Sequence, residues 1–305
     1  DAHITMLVDE KLKDVVLFNP YLDEVVTIDK KGRDNSILSL WACSRHLSKL
    51  DFDVLINLHP NERCSFIDAM TSVKLRTGTT HKIFKWFWDV FTPLDRSMHA
   101  ADMYLDVLQQ LGVQDLSNNG LEIFPGEEHF LEAELFWQEQ NITDQDKLIG
   151  FNIGSAVPTK RWPPERFAEV ADIFAAKGYK TVFFGGPMDE EMVAEATGYM
   201  QTRPIIATGH FAIGGLAAAM RRCCLIITND SGPMHVAISQ KVPIVAMYGP
   251  SNPKLYGPYT KDAVIVTAQP PCQGCADGMK HSCDDLQCMS RMTVEQVVAA
   301  AEKML

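Results

Sequence analysis

One stretch of sequence decides the fold: Leu225-Ile226-Ile227-Thr228-Asn229-Asp230-Ser231-Gly232-Pro233-Met234-His235. Its first four residues are apolar or β-branched and predict a buried strand, and the Gly-Pro pair that follows favours the start of a helix. A strand that turns directly into a helix presents backbone N–H groups and the positive end of the helix dipole, which suits a phosphate. The stretch therefore predicts an α/β fold with an anion site at a strand end.

The polar side chains of this stretch have two interpretations. Asp230 and Ser231 are residue types that cap helices, and capping alone could explain them. It does not explain His235, which follows Ser231 by four residues and so lies on the same face of the helix. We therefore expect His235 to face the same ligand as Ser231.

Strand and helix patterns alternate along nearly the whole chain. This alternation is typical of parallel sheets covered by helices on both faces, so we expect an α/β protein with ligands beyond the carboxyl ends of the strands. The boundary between two domains is predicted at residues 128 and 129, giving an N-terminal domain, 1–128, and a C-terminal domain, 129–305. The predicted strands are His3–Val8, Glu24–Ile28, Val54–Leu58, Val73–Arg76, Leu148–Ile153, Thr181–Phe184, Ile205–Thr208, Leu225–Thr228, Ile244–Tyr248 and Val264–Thr267.

Composition narrows the class of protein. The chain has 305 residues, 46% of them hydrophobic, which fits two folded domains and excludes a disordered chain. Its formal net charge of −11 argues against a general nucleic-acid binder. The sequence shows neither a leader pattern nor an apolar run of the roughly 20 residues that span a bilayer, so we expect a cytoplasmic protein.

Two more loops follow predicted strands. The loop 152–163 contains Gly154 and Ser155 and then the cations Lys160 and Arg161, which fit either a diphosphate or an ordinary solvated helix entrance. The loop 185–191 contains Asp189, which could hold sugar hydroxyls but, taken alone, fits a helix start better. Neither loop is decisive by itself.

Together the loops resemble glycosyltransferase family 9, which contains the lipopolysaccharide heptosyltransferases. The resemblance covers essentially the whole chain and is strongest over residues 148–258. It rests on Thr159-Lys160-Arg161-Trp162-Pro163, Gly185-Gly186-Pro187, Asn229-Asp230-Ser231-Gly232-Pro233-Met234-His235, Tyr248-Gly249-Pro250-Ser251 and the segment from His99 to Gly112.

The resemblance implies a GT-B glycosyltransferase with two Rossmann-like domains facing a cleft. Such an enzyme moves a heptose from ADP-heptose to the lipopolysaccharide inner core, with inversion and with no cofactor or catalytic metal. Lys160 would be catalytic, because a cation on the departing diphosphate lowers the barrier. The donor-binding residues implied are Ser155, Lys160, Asp189, Asp230, Ser231, Gly232 and His235.

The resemblance also leaves a gap. Family members open with a strand and a Gly-Asp loop whose Asp is expected to act as general base. This chain begins at what resembles the second strand, so we assign no base in it and expect it to bind the donor better than it turns it over. Three alternatives stay open: a transferase with another nucleotide-sugar donor, a non-catalytic nucleotide-sugar binding module, and a scaffold built around the cysteine-rich loop.

A basic stretch in the first domain is the predicted acceptor side. It runs into Trp86-Phe87-Trp88, and basic and aromatic residues together suit an anionic lipid acceptor through peripheral contact with the inner membrane. The alternative is a solvated helix whose aromatic side chains pack inward. The acceptor-binding residues predicted are Lys74, Arg76, Lys82 and Lys85, with His81 beside them.

Four of the eight cysteines form a cluster ahead of a predicted terminal helix, Val294–Met304. Cys272, Cys275, Cys283 and Cys288 could close a structural zinc site, although only the first pair has the two-residue spacing usual for zinc ligands. Free thiols or a redox-sensitive pair are the alternatives.

Overall fold

The computed structural model describes residues 2–59, 61–79, 85–268, 283 and 285–305. The chain forms two compact units: unit 1 comprises Asp1–Lys13 and Tyr21–Asn118, and unit 2 comprises Asp14–Pro20 and Asn119–Leu305.

The division between the units lies earlier than the predicted boundary at residues 128 and 129. The reason is that the segment ahead of that boundary is bonded to unit 2. Lys241 Nζ donates to the carbonyl of Asn119 over 3.0 Å, and Gln240 Nε2 donates to that of Ile123 over 2.8 Å.

Unit 1 is built on two parallel sheets. Strands β1 and β2 form one sheet, and β3, β4 and β5 form the other in that order. Among the described residues the strands are β1 (Thr5–Asp9), β2 (Glu24–Ile28), β3 (Val54–Asn57), β4 (Leu75–Gly78) and β5 (Val90–Phe91). The helices are α1 (Lys13–Val16), which continues into unit 2, α2 (Ile37–Leu47), α3 (Glu62–Met70) and α4 (Ala100–Gln110).

A small core holds part of unit 1 together. Leu40 and Leu47 lie on one face of α2 at helical spacing and pack with Ile67 of α3 and Ile28 of β2. Ser36 begins α2 with a capping box: its hydroxyl accepts from the Ser39 N–H, and the Ser39 hydroxyl accepts from the Ser36 N–H.

Unit 2 contains one six-stranded parallel sheet. Its strands are β6 (Leu148–Asn152), β7 (Lys180–Phe184), β8 (Ile205–Ile206), β9 (Cys223–Asn229), β10 (Ile244–Met247) and β11 (Ala263–Val266). Its remaining helices are α5 (Glu127–Glu139), α6 (Pro164–Ala176), α7 (Glu190–Tyr199), α8 (Ile213–Met220), α9 (Gly232–Ser239), α10 (Pro253–Tyr256), α11 (Gln287–Ser290) and α12 (Val294–Glu302).

The order of these strands indicates where a ligand would bind. The sheet runs β8-β7-β6-β9-β10-β11, so the chain moves outward from β6 in one direction and then returns to build the other half from β9. This is the doubly wound arrangement of nucleotide-binding sheets, in which ligands bind at the carboxyl ends of the two strands where the order reverses. In unit 2 those strands are β6 and β9.

The two faces of this sheet carry separate cores. Alternate residues of β6 point to opposite faces: Ile149 and Phe151 belong to one buried cluster, and Leu148 belongs to the other. The first cluster includes α6 and α12, and the second includes α5, α8 and α9. With both faces covered, β6 is buried along its whole length and holds its last residue firmly in place.

The segment 14–20 is fixed to unit 2 by one carboxylate and one aromatic ring. Asp14 Oδ1 lies 3.2 Å from His129 Nε2, and Asp14 Oδ2 accepts from the Gly214 N–H over 2.7 Å. His129 Nδ1 accepts from the Gly126 N–H, so Nε2 carries the proton that faces Asp14. The Phe18 ring meets the same imidazole edge-on at 5.5 Å.

Candidate functional site

Asn229 joins the loops that follow β6 and β9. Its Nδ2 donates to the carbonyl of Ile153 over 2.7 Å, and its Oδ1 accepts from the Trp162 N–H over 3.1 Å. The side chain is fully buried, so both of these hydrogen bonds are shielded from water. One amide therefore ties both ends of the loop 153–162 to the end of β9.

Asp230 is the centre of the site. Its Oδ2 accepts from Lys160 Nζ over 2.7 Å and also from the hydroxyl of Ser251, which follows β10. The side chains of Lys160 and Asp230 are only 12% and 6% exposed. Three loops of the sheet thus meet at one nearly buried carboxylate.

Ser231 is linked to β6 rather than to its own helix. Although it occupies the N-cap position of α9, its side chain makes no capping hydrogen bond. Its Oγ instead accepts from Asn152 Nδ2 over 2.8 Å. The alternative interpretation, that the Ser231 hydroxyl caps α9, therefore does not hold.

Ser155 lines the same group of loops. It is buried, and its Oγ lies 3.4 Å from the carbonyl oxygen of Asp230. Arg161 Nε donates to the Ser155 carbonyl over 2.8 Å, so the second cation of this loop holds the loop's own backbone. The structure brings Ser155, Lys160 and Asp230, three of the predicted donor-binding residues, close together.

Asp189 reaches this group through two glycines. Its Oδ2 accepts from the Gly186 N–H over 2.9 Å, and its carboxylate packs so closely on Gly154 that a Cβ there would lie 2.2 Å from Oδ1. Only glycine at position 154 lets the two loops approach in this way. Asp189 is therefore both a helix-start residue and a neighbour of the loop after β6.

Gly232 and His235 lie at the start of α9. Gly232 is exposed and His235 is half-buried, so both are accessible at the strand end where the sheet order reverses. The free N–H groups of a first helical turn and the helix dipole favour an anion at this place.

Tyr248 directly follows β10 and lies near Asp230. Burial raises the pKa of its phenol, and the nearby Asp230 carboxylate raises the pKa further. The hydroxyl therefore stays protonated, and it lies 2.8 Å from the carbonyl of Tyr256.

Two of the predicted acceptor residues, Lys74 and Arg76, make contacts within unit 1. Lys74 Nζ pairs with Asp53 Oδ1 at 2.5 Å on the surface of unit 1. Arg76 donates to the carbonyls of Asp68 and Thr71 over 3.0 and 2.7 Å, which fixes the end of α3. Both cations are engaged within unit 1, and their role in binding an acceptor stays a prediction.

The rest of the basic and aromatic stretch is only partly described. Lys82 lies outside the described residues, as does His81, and Lys85 begins a short 3-10 helix, Lys85–Phe87. Trp86 is 82% exposed, whereas Trp88 is buried against Gly78. The aromatic side chains therefore do not all pack inward.

The cysteine cluster is also only partly described. Cys272 and Cys275 lie outside the described residues, Cys283 is exposed and Cys288 is buried. Within the described ranges, no group of three or more His, Cys, Asp or Glu side chains is arranged to hold a metal ion. The zinc site stays a prediction.

A cavity of about 210 Å³ lies in unit 1. Its walls include the apolar side chains of Leu7 and Ile28. The charged groups Asp9 and Lys30 on its rim pair with each other at 3.5 Å. None of the predicted donor-binding residues lines it.

No helix in the described part of the chain has the length and apolarity needed to cross a bilayer.

Sequence reasoning assigned no role to four side chains that build this site: Asn152, Thr228, Asn229 and Ser251. A usable signal was present for the first three, because they are polar residues in the last two positions of otherwise apolar strands. Such residues face the ligand edge of a parallel sheet. For Ser251 the sequence offered only its place in the Tyr248-Gly249-Pro250-Ser251 pattern.

Comparisons with known proteins identify relatives of this chain. The model of glycosyltransferase family 9 (heptosyltransferase) matches residues 40–283. Lipopolysaccharide heptosyltransferase 3 of Escherichia coli K12 is 23% identical over 100% of this chain and 90% of its own length. Lipooligosaccharide heptosyltransferase 2 of Haemophilus ducreyi is 34% identical over 139 residues, 43% of this chain, so the chain spans only 40% of the length of that relative.

Solved structures give the same result for the fold. A crystal structure of the glycosyl transferase family 9 from Veillonella parvula is 52% identical, covers 99% of this chain and 88% of its own, and superimposes with a TM-score of 0.94. E. coli ADP-heptose lps heptosyltransferase II is 20% identical, with coverages of 100% and 89% and a TM-score of 0.76. The predicted GT-B class is confirmed. Because the family model matches most of this chain, the chain belongs to glycosyltransferase family 9.

Proposed function

We propose that this chain transfers a heptose from ADP-heptose to the lipopolysaccharide inner core, with inversion and without a catalytic metal. One observation carries the proposal: the nearly buried Lys160 and Asp230 pair lies beside Ser231 at the strand ends where the sheet order reverses. Family membership supports the reaction class, and the names of the relatives support the sugar.

Lys160 acts on the leaving group in this proposal. Glycosyl transfer builds positive charge on the sugar and negative charge on the departing diphosphate, so a fixed cation beside that diphosphate lowers the barrier. Lys160 is held at 2.7 Å by Asp230 and is mostly shielded from water, which strengthens its effect on a neighbouring charge. Asp230 positions the ammonium for the incoming phosphate.

The remaining donor contacts are proposed from the positions of five further residues. Gly232 and Ser231 offer a backbone N–H and a hydroxyl at the start of α9, and His235 lies on the same helix. Ser155 is close enough to the Asp230 backbone to face the same phosphates. Asp189 would accept from ribose hydroxyls, since a carboxylate accepts hydrogen bonds from both hydroxyls of a diol.

The acceptor side is proposed from the sequence together with the exposure of Trp86. Lys82 and Lys85 would pair with acidic groups of the lipopolysaccharide core, and Trp86, which is 82% exposed, would contact the lipid surface. Replacing both lysines with Glu should raise the acceptor KM and leave the donor KM unchanged. A matching rise in donor KM would reject this assignment.

A nucleotide screen followed by turnover tests the proposal. ADP should raise the melting temperature of the protein more than UDP or GDP does. Release of ADP from ADP-heptose, in the presence of lipopolysaccharide that lacks heptose, should proceed equally with EDTA and with added magnesium. A larger stabilisation by UDP would point to another donor, and loss of turnover in EDTA would reject the metal-independent mechanism.

An active heptosyltransferase, assayed in parallel, serves as the positive control. If the control turns over and this chain binds the donor without turnover, the result would favour the non-catalytic binding module.

A further inference from the structure

The last residue of β6, Asn152, makes a hydrogen bond whose direction matters for the ligand. Asn152 is fully buried, and its Nδ2 donates to Ser231 Oγ over 2.8 Å and to Thr228 Oγ1 over 3.0 Å. An amide can present either its donor or its acceptor to a hydroxyl, so the orientation of this amide decides what the Ser231 hydroxyl can do.

Thr228 fixes that orientation. Its Oγ1 donates its only proton to the carbonyl of Asn229 over 2.8 Å, so towards Asn152 it can only accept. The amide must therefore turn its nitrogen to Thr228, and Ser231 meets the same nitrogen. Asn152 Oδ1 is left buried with no partner among the described residues, which lowers stability and is uncommon in folded proteins.

The proton of the Ser231 hydroxyl is therefore available for donation to a ligand. Asn152 occupies an acceptor position of the oxygen, and no capping bond to α9 engages the side chain. The carbonyl of Asn229 lies 3.4 Å away and already accepts from Thr228 over 2.8 Å, so it is a poor partner for the Ser231 proton. A diphosphate at neutral pH has only acceptor oxygens, and it needs donors.

We propose that Asn152 is a positioning residue that makes the Ser231 hydroxyl a dedicated donor to the diphosphate of the nucleotide sugar. Asn152 acts through Ser231 and does not itself contact the ligand. The inference rests on the proposed function, because it takes the diphosphate of the donor as the ligand at α9.

Two substitutions at position 152 change the partner of the Ser231 hydroxyl, and one of them, Asn152→Asp, also adds a negative charge. In Asn152→Asp the carboxylate can only accept, so the Ser231 proton turns towards residue 152 and an oxygen lone pair faces the diphosphate. In Asn152→Ala the Ser231 hydroxyl loses the hydrogen bond from residue 152, but its proton is not drawn away from the ligand. We expect binding of ADP and of inorganic pyrophosphate to weaken in the order wild type, Asn152→Ala, Asn152→Asp, with the last about tenfold or more weaker, as for loss of a hydrogen bond to a charged group.

A double-mutant cycle with Ser231→Ala tests the connection. Because Asn152 acts only through the Ser231 hydroxyl, Asn152→Ala combined with Ser231→Ala should bind ADP no more weakly than Ser231→Ala alone. In turnover, Asn152→Asp should raise the donor KM and leave the acceptor KM unchanged. Thr181→Val, at another buried polar position of the same sheet, is the control and should bind as the wild type does.

Titration calorimetry with ADP and pyrophosphate, run beside melting curves of every variant, gives distinct outcomes. Binding by the wild type, weakening in Ser231→Ala and non-additivity in the cycle support the inference. Additive losses, or equal losses in Asn152→Ala and Asn152→Asp, overturn it and leave the proposed function standing. A wild-type protein that binds neither probe overturns both. If Asn152→Asp does not fold, the cycle built on Asn152→Ala decides.

Discussion

Lys160 Nζ lies 2.7 Å from Asp230 Oδ2, and a second donor, the Ser251 hydroxyl, bonds the same oxygen. The pair is nearly buried, so neither charge is well solvated. Removing one partner of such a pair leaves the other charge uncompensated, which costs far more than the pair itself contributes.

Lys160→Met should therefore change both stability and turnover. The uncompensated Asp230 should lower the free energy of unfolding by about 3–5 kcal/mol. If Lys160 stabilises the leaving group as proposed, its loss should lower kcat by about a hundredfold or more, as for removal of one oxyanion-stabilising group. Urea denaturation and steady-state kinetics measure the two effects, and Lys160→Arg, which keeps the charge, should lose less of each.

Lys177→Met is the matched control for Lys160→Met. Lys177 also pairs with a carboxylate, that of Glu302, but on the surface, where such pairs contribute little. Lys177→Met should leave kcat and the donor KM unchanged. A kcat for Lys160→Met as high as that of this control would remove Lys160 from the mechanism.

Gly154→Ala should weaken binding of ADP but not of pyrophosphate. A methyl group at position 154 would lie 2.2 Å from Asp189 Oδ1 and must displace the carboxylate that we assign to the ribose. Calorimetry with the two ligands separates the ribose contact from the diphosphate contact. Gly186→Ala is the control, because its Cβ meets no atom within 4 Å. An equal loss for pyrophosphate would mean that position 154 acts on the phosphate loop instead.

Asn229→Asp should destabilise unit 2. The change removes the Nδ2 donor to the Ile153 carbonyl and sets a carboxylate oxygen against that carbonyl. A buried carbonyl that loses its partner should lower the free energy of unfolding by about 1–3 kcal/mol, measured in urea. Asn252→Asp should have no such effect, because Asn252 caps α10 at the surface and Asp caps equally well. Unchanged stability of Asn229→Asp would argue that the two loop ends are held by other contacts.

The stability of unit 1 should fall as the pH rises from about 4 to about 7. Burial raises the pKa of Asp68 to about 7, although the hydrogen bond from Asn57 and the charge of Arg76 oppose the shift. Between its unfolded value near 3.9 and that folded value, the unfolded chain binds fewer protons than the folded one, so stability is lost with rising pH.

Asp68→Asn should remove this dependence. Melting temperatures at several pH values should show the variant gaining on the wild type as the pH rises through the window from about 4 to about 7. Asp53→Asn, at an exposed ion pair with Lys74, is the control and should follow the wild type. Parallel curves for the wild type and Asp68→Asn would mean that the Asp68 carboxyl does not titrate in this range.

Much of the fold follows from the sequence because the apolar runs are local signals. Glu24–Ile28 is predicted to the residue, and Leu148–Ile153 differs from β6 by one residue. The two-residue strand β5, Val90–Phe91, is not predicted, since it exists only through pairing with β4. Likewise the assignment of 14–20 to unit 2 depends on contacts with His129 and Gly214, which no local pattern announces.

The site is predictable in its residues and not in its connections. Spacing and resemblance indicated Lys160, Asp230 and Ser231, and the structure brings them together. The hydrogen-bond partners of these side chains depend on the tertiary fold. Asn152 is far from Ser231 in sequence and becomes its neighbour only because β6 pairs with β9. A search for polar residues at the ends of apolar strands would have found Asn152 and Asn229.

The anchoring of Asp14 and Phe18 means that unit 2 is not a contiguous stretch of the gene. A fragment that begins at Asn119 would leave His129 and the Gly214 N–H without the carboxylate that they share. A chimaera that takes everything after that point from another protein would combine a foreign Asn119–Leu305 segment with the native segment 14–20. A chain assembled from two sources should therefore take Asp14, Phe18 and His129 from the same one.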